Sequence, residues 1–231
     1  MLLLAFETSA KAASVALMEE GRLLGESYQN TGMTHSQTLM VMAQDLLNQC
    51  GKAVKDVTHL AVAAGPGSFT GVRIGVAAAK GFAWGGALPC KGVSTLEAMA
   101  LGAGHWSGYV CCVMDARRAQ VYNALFRVDK GQYTRLAEDR AIALSDLETE
   151  LKELEGPIFL VGDGSDLTYR TLSEAVPALV LPPEEKRHQR AVGVALAAMK
   201  NQGSWDGNAL TPNYLRLSQA ERERLERETA L

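Results

Sequence analysis

Residues 61–75 read AVAAGPGSFTGVRIG, an apolar run that breaks at a glycine turn and restarts as a helix. Gly65 and Gly67 permit positive φ, Pro66 stiffens the turn, and Ser68 or Thr70 can cap the helix. Free N–H groups at such an N-terminus attract anions, so a phosphate could dock there. A P-loop is excluded: the Gly-Lys-Ser/Thr ending is missing, and Arg73 is the only cation that follows. The same residues would equally make a tight turn that docks a helix on a sheet. Glu7-Thr8-Ser9 carries a similar pair of readings. Its hydroxyls could wrap a phosphate and its carboxylate could hold a hydrated magnesium ion, or it is a satisfied turn with a solvated Glu. Asp115 ends another apolar run, where open α/β sheets often place a catalytic acid. It could as well be a cap, and Arg117 and Arg118 could pair with acids at a domain seam.

Other chemistries are excluded by spacing. None of His35, His59, His105 and His188 stands four residues from another, so no single helix carries a two-histidine metal site. Cys50, Cys90, Cys111 and Cys112 form no CxxC pair, which removes a zinc site and leaves small buried thiols in a reducing compartment. A peptidase would need a nucleophile with a base, and GxSxG is absent. The net charge of −3 argues against a protein that holds nucleic acid alone by phosphate neutralisation. No run reaches the roughly 18 apolar residues of a membrane span. Residues 1–6 are too short for a signal h-region, so the expected location is the cytoplasm.

The elements that would position these residues follow from periodicity. Strands are expected at Leu2–Phe6, Ala13–Met18 and Leu23–Gln29, with turns between them. A helix from His35 to Asn48 puts Leu39, Met42, Ala43, Leu46 and Leu47 on one stripe, with Thr34 or Ser36 as cap and Gly51 at C′. A strand His59–Ala64, a helix Val72–Trp84, a strand Leu88–Val93 and a capping-box helix Thr95–Leu101 complete a first half, 1–106. The second half, 107–231, restarts with strands Tyr109–Asp115 and Gln120–Val128 and a hairpin turn at Asp129-Lys130-Gly131. There follow a helix Leu144–Leu154 capped by Ser145, a strand Pro157–Val161, a helix Leu167–Ala175, a strand Leu179–Leu181 and a helix Arg190–Asn201. A tail of mixed Glu and Arg begins near Ser218 and reads as a solvated or frayed helix. The shared order of strands and helices points to an α/β fold of two related halves.

Along the second helix Gly71, Gly75 and Ala79 recur every four residues, a pattern that lets helices approach closely. Gly costs helix stability by about 1 kcal/mol relative to Ala, so close packing must compensate. One reading is a dimerisation surface made with Leu39, Met42 and Leu46 of the first helix. The other is that both faces pack on their own sheet.

These segments together resemble the TsaB (YeaZ) family. The resemblance rests on Ala5-Phe6-Glu7-Thr8-Ser9, Thr34-His35-Ser36-Gln37, the stretch Gly65 to Gly75, Gly92-Val93-Ser94-Thr95-Leu96, Met114-Asp115-Ala116-Arg117 and Pro212-Asn213-Tyr214-Leu215-Arg216. It implies an actin/Hsp70/sugar-kinase-like fold (ASKHA) and a non-catalytic partner subunit in making threonylcarbamoyladenosine on tRNAs that read ANN codons. It implies a homodimer, and binding of a TsaD-type subunit that holds metal and active site, through helices at about 35–50 and 70–85. The implied interface residues are His35, Leu39, Met42, Leu46, Gly71, Val72, Gly75 and Ala79. A TsaE-type ATPase joins the pair, TsaC supplies threonylcarbamoyl-adenylate, and tRNA is met only through the complex. No metal or cofactor is expected to be required, with weak ATP or ADP binding mainly in the complex. Glu7, Thr8, Ser9, Gly65, Gly67, Ser68 and Asp115 then form a relic phosphate loop. Glu7 stands where actin-like kinases have Asp, and Asp115 is followed by Ala116 rather than Gly. The rival is an active actin-like ATPase or small-molecule kinase built on Glu7, Asp115 and the Gly65 loop.

Overall fold

The computed structural model describes residues 1–104 and 106–216. His105 and the charged tail from Ser218 lie outside the described residues. The first sheet contains β1 (Leu2–Glu7), β2 (Ala13–Glu19), β3 (Arg22–Gln29), β4 (His59–Gly65) and β5 (Cys90–Ser94), in the order β3-β2-β1-β4-β5. Its hairpin strands pair antiparallel, while β1, β4 and β5 run parallel. The second sheet contains β6 (Gly108–Asp115), β7 (Gln120–Asp129), β8 (Gln132–Ala143), β9 (Ile158–Val161) and β10 (Leu179–Val180), in the order β10-β9-β6-β7-β8. Its pairings repeat the first sheet strand for strand. The duplication expected from element order is therefore present in the topology.

Helices α1 (His35–Gln49) and α2 (Phe69–Gly86) cover one face of the first sheet, joining Phe6, Val15 and Val62 in one core. Helix α3 (Thr95–Gly102) lies between the halves. Its Ala98 packs in the first sheet's other core, while Leu96, Met99 and Ala100 pack with Cys112, Met114 and Phe126 of the second sheet. Helices α4 (Leu144–Lys152) and α5 (Ser165–Leu172) cover the far face of the second sheet. Cys111 and Cys112 enter opposite cores, as alternation along a strand requires.

Three expectations need correction, and one strand has no counterpart among them. Helix α6 (Ala191–Lys200) packs on β1, β2, β4 and β5, so the chain returns to the first half after residue 190 and the division 1–106/107–231 does not hold. The small side chains of α6 let it approach α3: a Cβ at Gly193 would run into the Ala98 carbonyl closer than 3.0 Å. Strand β8 has no apolar alternation and escaped the pattern reading. Its residues Arg135 and Asp139 face inward as an ion pair at 2.7 Å, with Asp139 also accepting from Ser94 at 2.5 Å. Two capping expectations fail as well. Helix α1 starts at Thr34 with no side-chain cap bond, and α4 starts after Ala143, which places Ser145 inside the first turn.

One capping device lies outside any local motif. The N-terminus of α6 is capped from the first sheet: Ser14 Oγ accepts from the Ala191 N–H at 3.1 Å, and Glu26 accepts from the Val192 N–H at 3.1 Å. Glu26 also pairs with Arg190 at 2.5 Å, and Ser14 donates to it at 3.0 Å. A carboxylate at a helix N-terminus is favoured by the unpaired N–H groups and the helix dipole.

Candidate functional site

A cleft of about 640 Å³ opens between the halves at the carboxyl ends of β1, β4, β6 and β9. Its first-half wall is the β1–β2 turn and the start of α2. Ser68 caps α2, its Oγ accepting from the Gly71 N–H at 3.3 Å, and its own N–H donates to the Ser9 carbonyl at 2.6 Å. Thr8 Oγ1 donates to the Gly71 carbonyl at 2.8 Å, and His35 Nε2 lies 2.8 Å from the Ala10 carbonyl. The β1–β2 turn is thereby fastened to the first turns of both helices. Gly67 is needed for this closeness, since a Cβ there would meet the Ser9 backbone.

The second-half wall is Asp115, Arg117, Tyr122 and Asp163. Asp115 is exposed, and its Oδ1 accepts from the Arg117 N–H at 2.7 Å, the capping alternative among its two readings. Arg117, Arg118 and Ala119 follow with φ of 62°, 55° and 54°. Left-handed backbone costs an L residue roughly 1–2 kcal/mol, so the β6–β7 turn is held in a conformation its sequence does not favour.

Beneath the cleft lies an unbalanced acid. Glu7 is 1% exposed; one carboxyl oxygen accepts from the Ser9 N–H at 2.5 Å and the other has no protein partner. Burial pushes its pKa up to about 7, with Asp163 across the cleft adding to the rise. Burial also raises the Asp163 pKa, against a lowering hydrogen bond from Gln189 at 3.0 Å. The expectation of a solvated Glu7 is corrected: the residue ends a strand enclosed on both sides, so its carboxyl is sealed under the turn. Ser9 Oγ is likewise buried without a partner. Among the described residues no group of three or more His, Cys, Asp or Glu side chains is placed to hold a metal ion.

The structure brings Ser9, Gly67, Ser68 and Asp115 to one cleft. Glu7 and Thr8 sit below it, and Gly65 is covered by Asn213, whose N–H donates to the Ala64 carbonyl at 2.6 Å. In the sequence Asp163 stands only within Gly162-Asp163-Gly164, a common turn that faintly resembles an adenosine loop, and its place in the cleft is not legible there. The turn follows a strand, and its Gly162 has φ +107° and no room for a Cβ. Sequence reasoning also overlooked Tyr214 and Arg216 as cleft residues; they line it from the far end of the described chain.

The small-residue stripe resolves in favour of self-packing. A Cβ at Gly71 would strike the Thr8 carbonyl and one at Gly75 would strike Thr8 Oγ1, both closer than 3.0 Å. Leu39, Met42, Leu46, Val72 and Ala79 are buried in the same core, and His35 is half-buried against Ala10. These eight side chains therefore offer little surface to a partner. The outer faces of the two helices carry other residues: Met40 and Val41 on α1, and Ala77, Gly81 and Trp84 on α2, with Trp84 90% exposed.

The chain matches the family model described as TsaD, tRNA N6-adenosine threonylcarbamoyltransferase, over residues 29–222. It is 32% identical to the tRNA threonylcarbamoyladenosine biosynthesis protein TsaB of Bacillus subtilis, covering 98% of this chain and 99% of that protein. It is 38% identical to the TsaB protein of Escherichia coli over 71% of this chain and 72% of that one. Among solved structures, YeaZ from Pseudomonas aeruginosa superposes with a TM-score of 0.70 at 26% identity, covering 93% of this chain and 99% of that chain. The ethanolamine utilization protein EutJ of Carboxydothermus hydrogenoformans shares the fold alone, with a TM-score of 0.51 at 12% identity. The architecture of two repeated α/β halves around a cleft is the actin-like fold.

Proposed function

The chain belongs to the TsaB family of tRNA threonylcarbamoyladenosine biosynthesis proteins, and from that premise we propose that it acts as a non-catalytic partner subunit. In this reading it binds a TsaD-type subunit, pairs with itself when alone, and meets tRNA and a TsaE-type ATPase only in the complex. The observation that carries the proposal is the outer face of α1 and α2. A tryptophan 90% exposed, in line with Ala77 and Gly81 at helical spacing on α2, makes an apolar surface with a large anchor, and α1 separately exposes Met40 and Val41. Such anchors dominate protein interfaces, and small residues beside them admit a partner helix. The match to a family model named for TsaD supports a partner of the same fold.

The cleft supports the silent role. The acid that ends β1 is sealed and its pKa of about 7 keeps it partly protonated near neutrality. Phosphoryl transfer wants a charged carboxylate in reach of magnesium and a positioned base. No cofactor is required in this reading, and an adenine nucleotide binds weakly, mainly in the complex. The chain is expected to work in the cytoplasm; among the described residues no helix is long and apolar enough to cross a membrane.

The test is reconstitution with TsaD-type, TsaE-type and TsaC-type proteins, tRNA, ATP, threonine and bicarbonate, comparing the chain with Trp84→Glu. The variant should keep its melting temperature, bind the TsaD-type subunit at least about tenfold more weakly, and lower modification in proportion. If modification proceeds without the chain, or the chain alone turns over ATP, the actin-like ATPase or kinase reading takes its place.

A further inference from the structure

The segment Leu210–Arg216 runs from the first half to the second across the mouth of the cleft. Leu210 is buried in the first core, and its carbonyl accepts from Lys80 Nζ at 3.1 Å. The Asn213 N–H then bonds the end of β4 at the Ala64 carbonyl. Tyr214 stacks on Phe69, the first residue of α2, with ring centroids 4.3 Å apart and planes 19° apart. Arg73 locks this pair: its Nε donates to Tyr214 Oη at 2.7 Å and its guanidinium lies 3.9 Å over the Phe69 ring. Two residues on, Arg216 Nη1 donates to the Ala116 carbonyl at 2.7 Å, in the strained turn that follows β6. The segment thus has three anchors in one half and one in the other.

The opposite side of the cleft supplies the load. Glu7 belongs to the first half and Asp163 to the second, so charge on this pair works against the approach of the halves. We propose that Leu210–Arg216 is a releasable strap that ties the two halves across the cleft, with the Arg216–Ala116 bond as the tie that parts. Tyr214 is 40% exposed and Arg216 is half-buried, so the last two anchors can part without opening a core. The first anchor, Leu210, stays seated and keeps the strap in reach for reclosure. Access to Ser9, Ser68 and the first turn of α2 is then set by the strap and not by the lining of the cleft alone.

Hydrogen exchange of backbone amides in the full chain tests this. Arg216→Ala should speed exchange about tenfold or more at 67–71 and 116–119, while β1 and β6 stay protected. Tyr214→Ala should speed exchange at 67–71 by a similar factor. Arg216→Lys, which keeps a donor, should fall between the parent and Arg216→Ala. Unchanged exchange at both segments in Arg216→Ala overturns the proposal. So does a rise of equal size in β1 and β6, because the strap would then be ordinary stability and not a local tie. These readouts involve no partner subunit, so they stand or fall apart from the role proposed above.

Discussion

Replacing Glu7 by Gln should stabilise the protein above neutral pH and do little in acid. The usual carboxyl value of 4.5 rises to about 7 in the folded chain. Between these values the native state holds a proton that the unfolded chain has released. Stability from this group is therefore fully present below pH 4.5 and is lost as pH rises to 7. Each pH unit of the difference is worth about 1.4 kcal/mol, so the complete loss is about 3 kcal/mol. Less than 1 kcal/mol, roughly, has gone by pH 5, which leaves about 2–3 kcal/mol between pH 5 and pH 8. Gln cannot ionise; its oxygen can still accept from the Ser9 N–H and its amide can face Asp163. Urea unfolding of both proteins at pH 5 and pH 8 gives the comparison. Other acids titrate in the same window, but they cancel when the variant is compared with its parent at each pH. The advantage of Glu7→Gln should grow by about 2–3 kcal/mol from pH 5 to pH 8. An advantage that does not grow, or a variant less stable at pH 8, would refute the sealed-acid argument.

The helix glycines should divide by what they touch: Gly75→Ala should cost about 1–3 kcal/mol in thermal melts, because its Cβ meets Thr8 Oγ1. Gly81→Ala, with open space around it, should gain up to about 1 kcal/mol. Glu26→Ala removes one of the two caps of α6 and the carboxylate partner of Arg190, and should cost about 1–3 kcal/mol in urea unfolding. Thiol titration of the native chain should find Cys50 alone reacting quickly. Burial pushes Cys90 up to about 11 and Cys111 up to about 12, and holds Cys112 well above the usual thiol range. Quick labelling of Cys111 or Cys112 would mean that the second core is open.

The sequence made the order of elements legible wherever burial set the pattern. Strands β1, β4 and β6 are closed in on both faces and read as continuous apolar runs, and α1 shows its buried stripe in its spacing. What stayed hidden depends on partners far away in the chain. Strand β8 fills inward positions with Arg135 and Asp139, which pairing with each other, and with Glu97 and Ser94, makes tolerable there. The Ser94 capping box is half formed: Ser94 accepts from the Glu97 N–H, while the Glu97 carboxylate turns to Asn201 and Arg135. The seat of α6 is decided by Ser14 and Glu26, some 170 residues away, which no local window contains. Asp163 looked like a common turn because its weight comes from facing Glu7, a relation across two halves.

The glycines of α2 carry the most instructive ambiguity. A stripe of small residues signals that something comes close, and spacing alone does not say what. Here the close neighbour is the Thr8 turn of the same chain, and the reason lies in the hydrogen bonds that need it. Thr8 Oγ1 reaches the Gly71 carbonyl, and the Ser68 N–H reaches the Ser9 carbonyl, only if α2 lies almost on the β1–β2 turn. Once Gly71, Gly75 and Ala79 face inward, helical geometry turns Ala77, Gly81 and Trp84 to solvent. A partner-blocking substitution therefore belongs at Trp84, where the monomer has nothing to lose. A charge at Gly75 would unfold the β1–β2 turn before any partner could be missed.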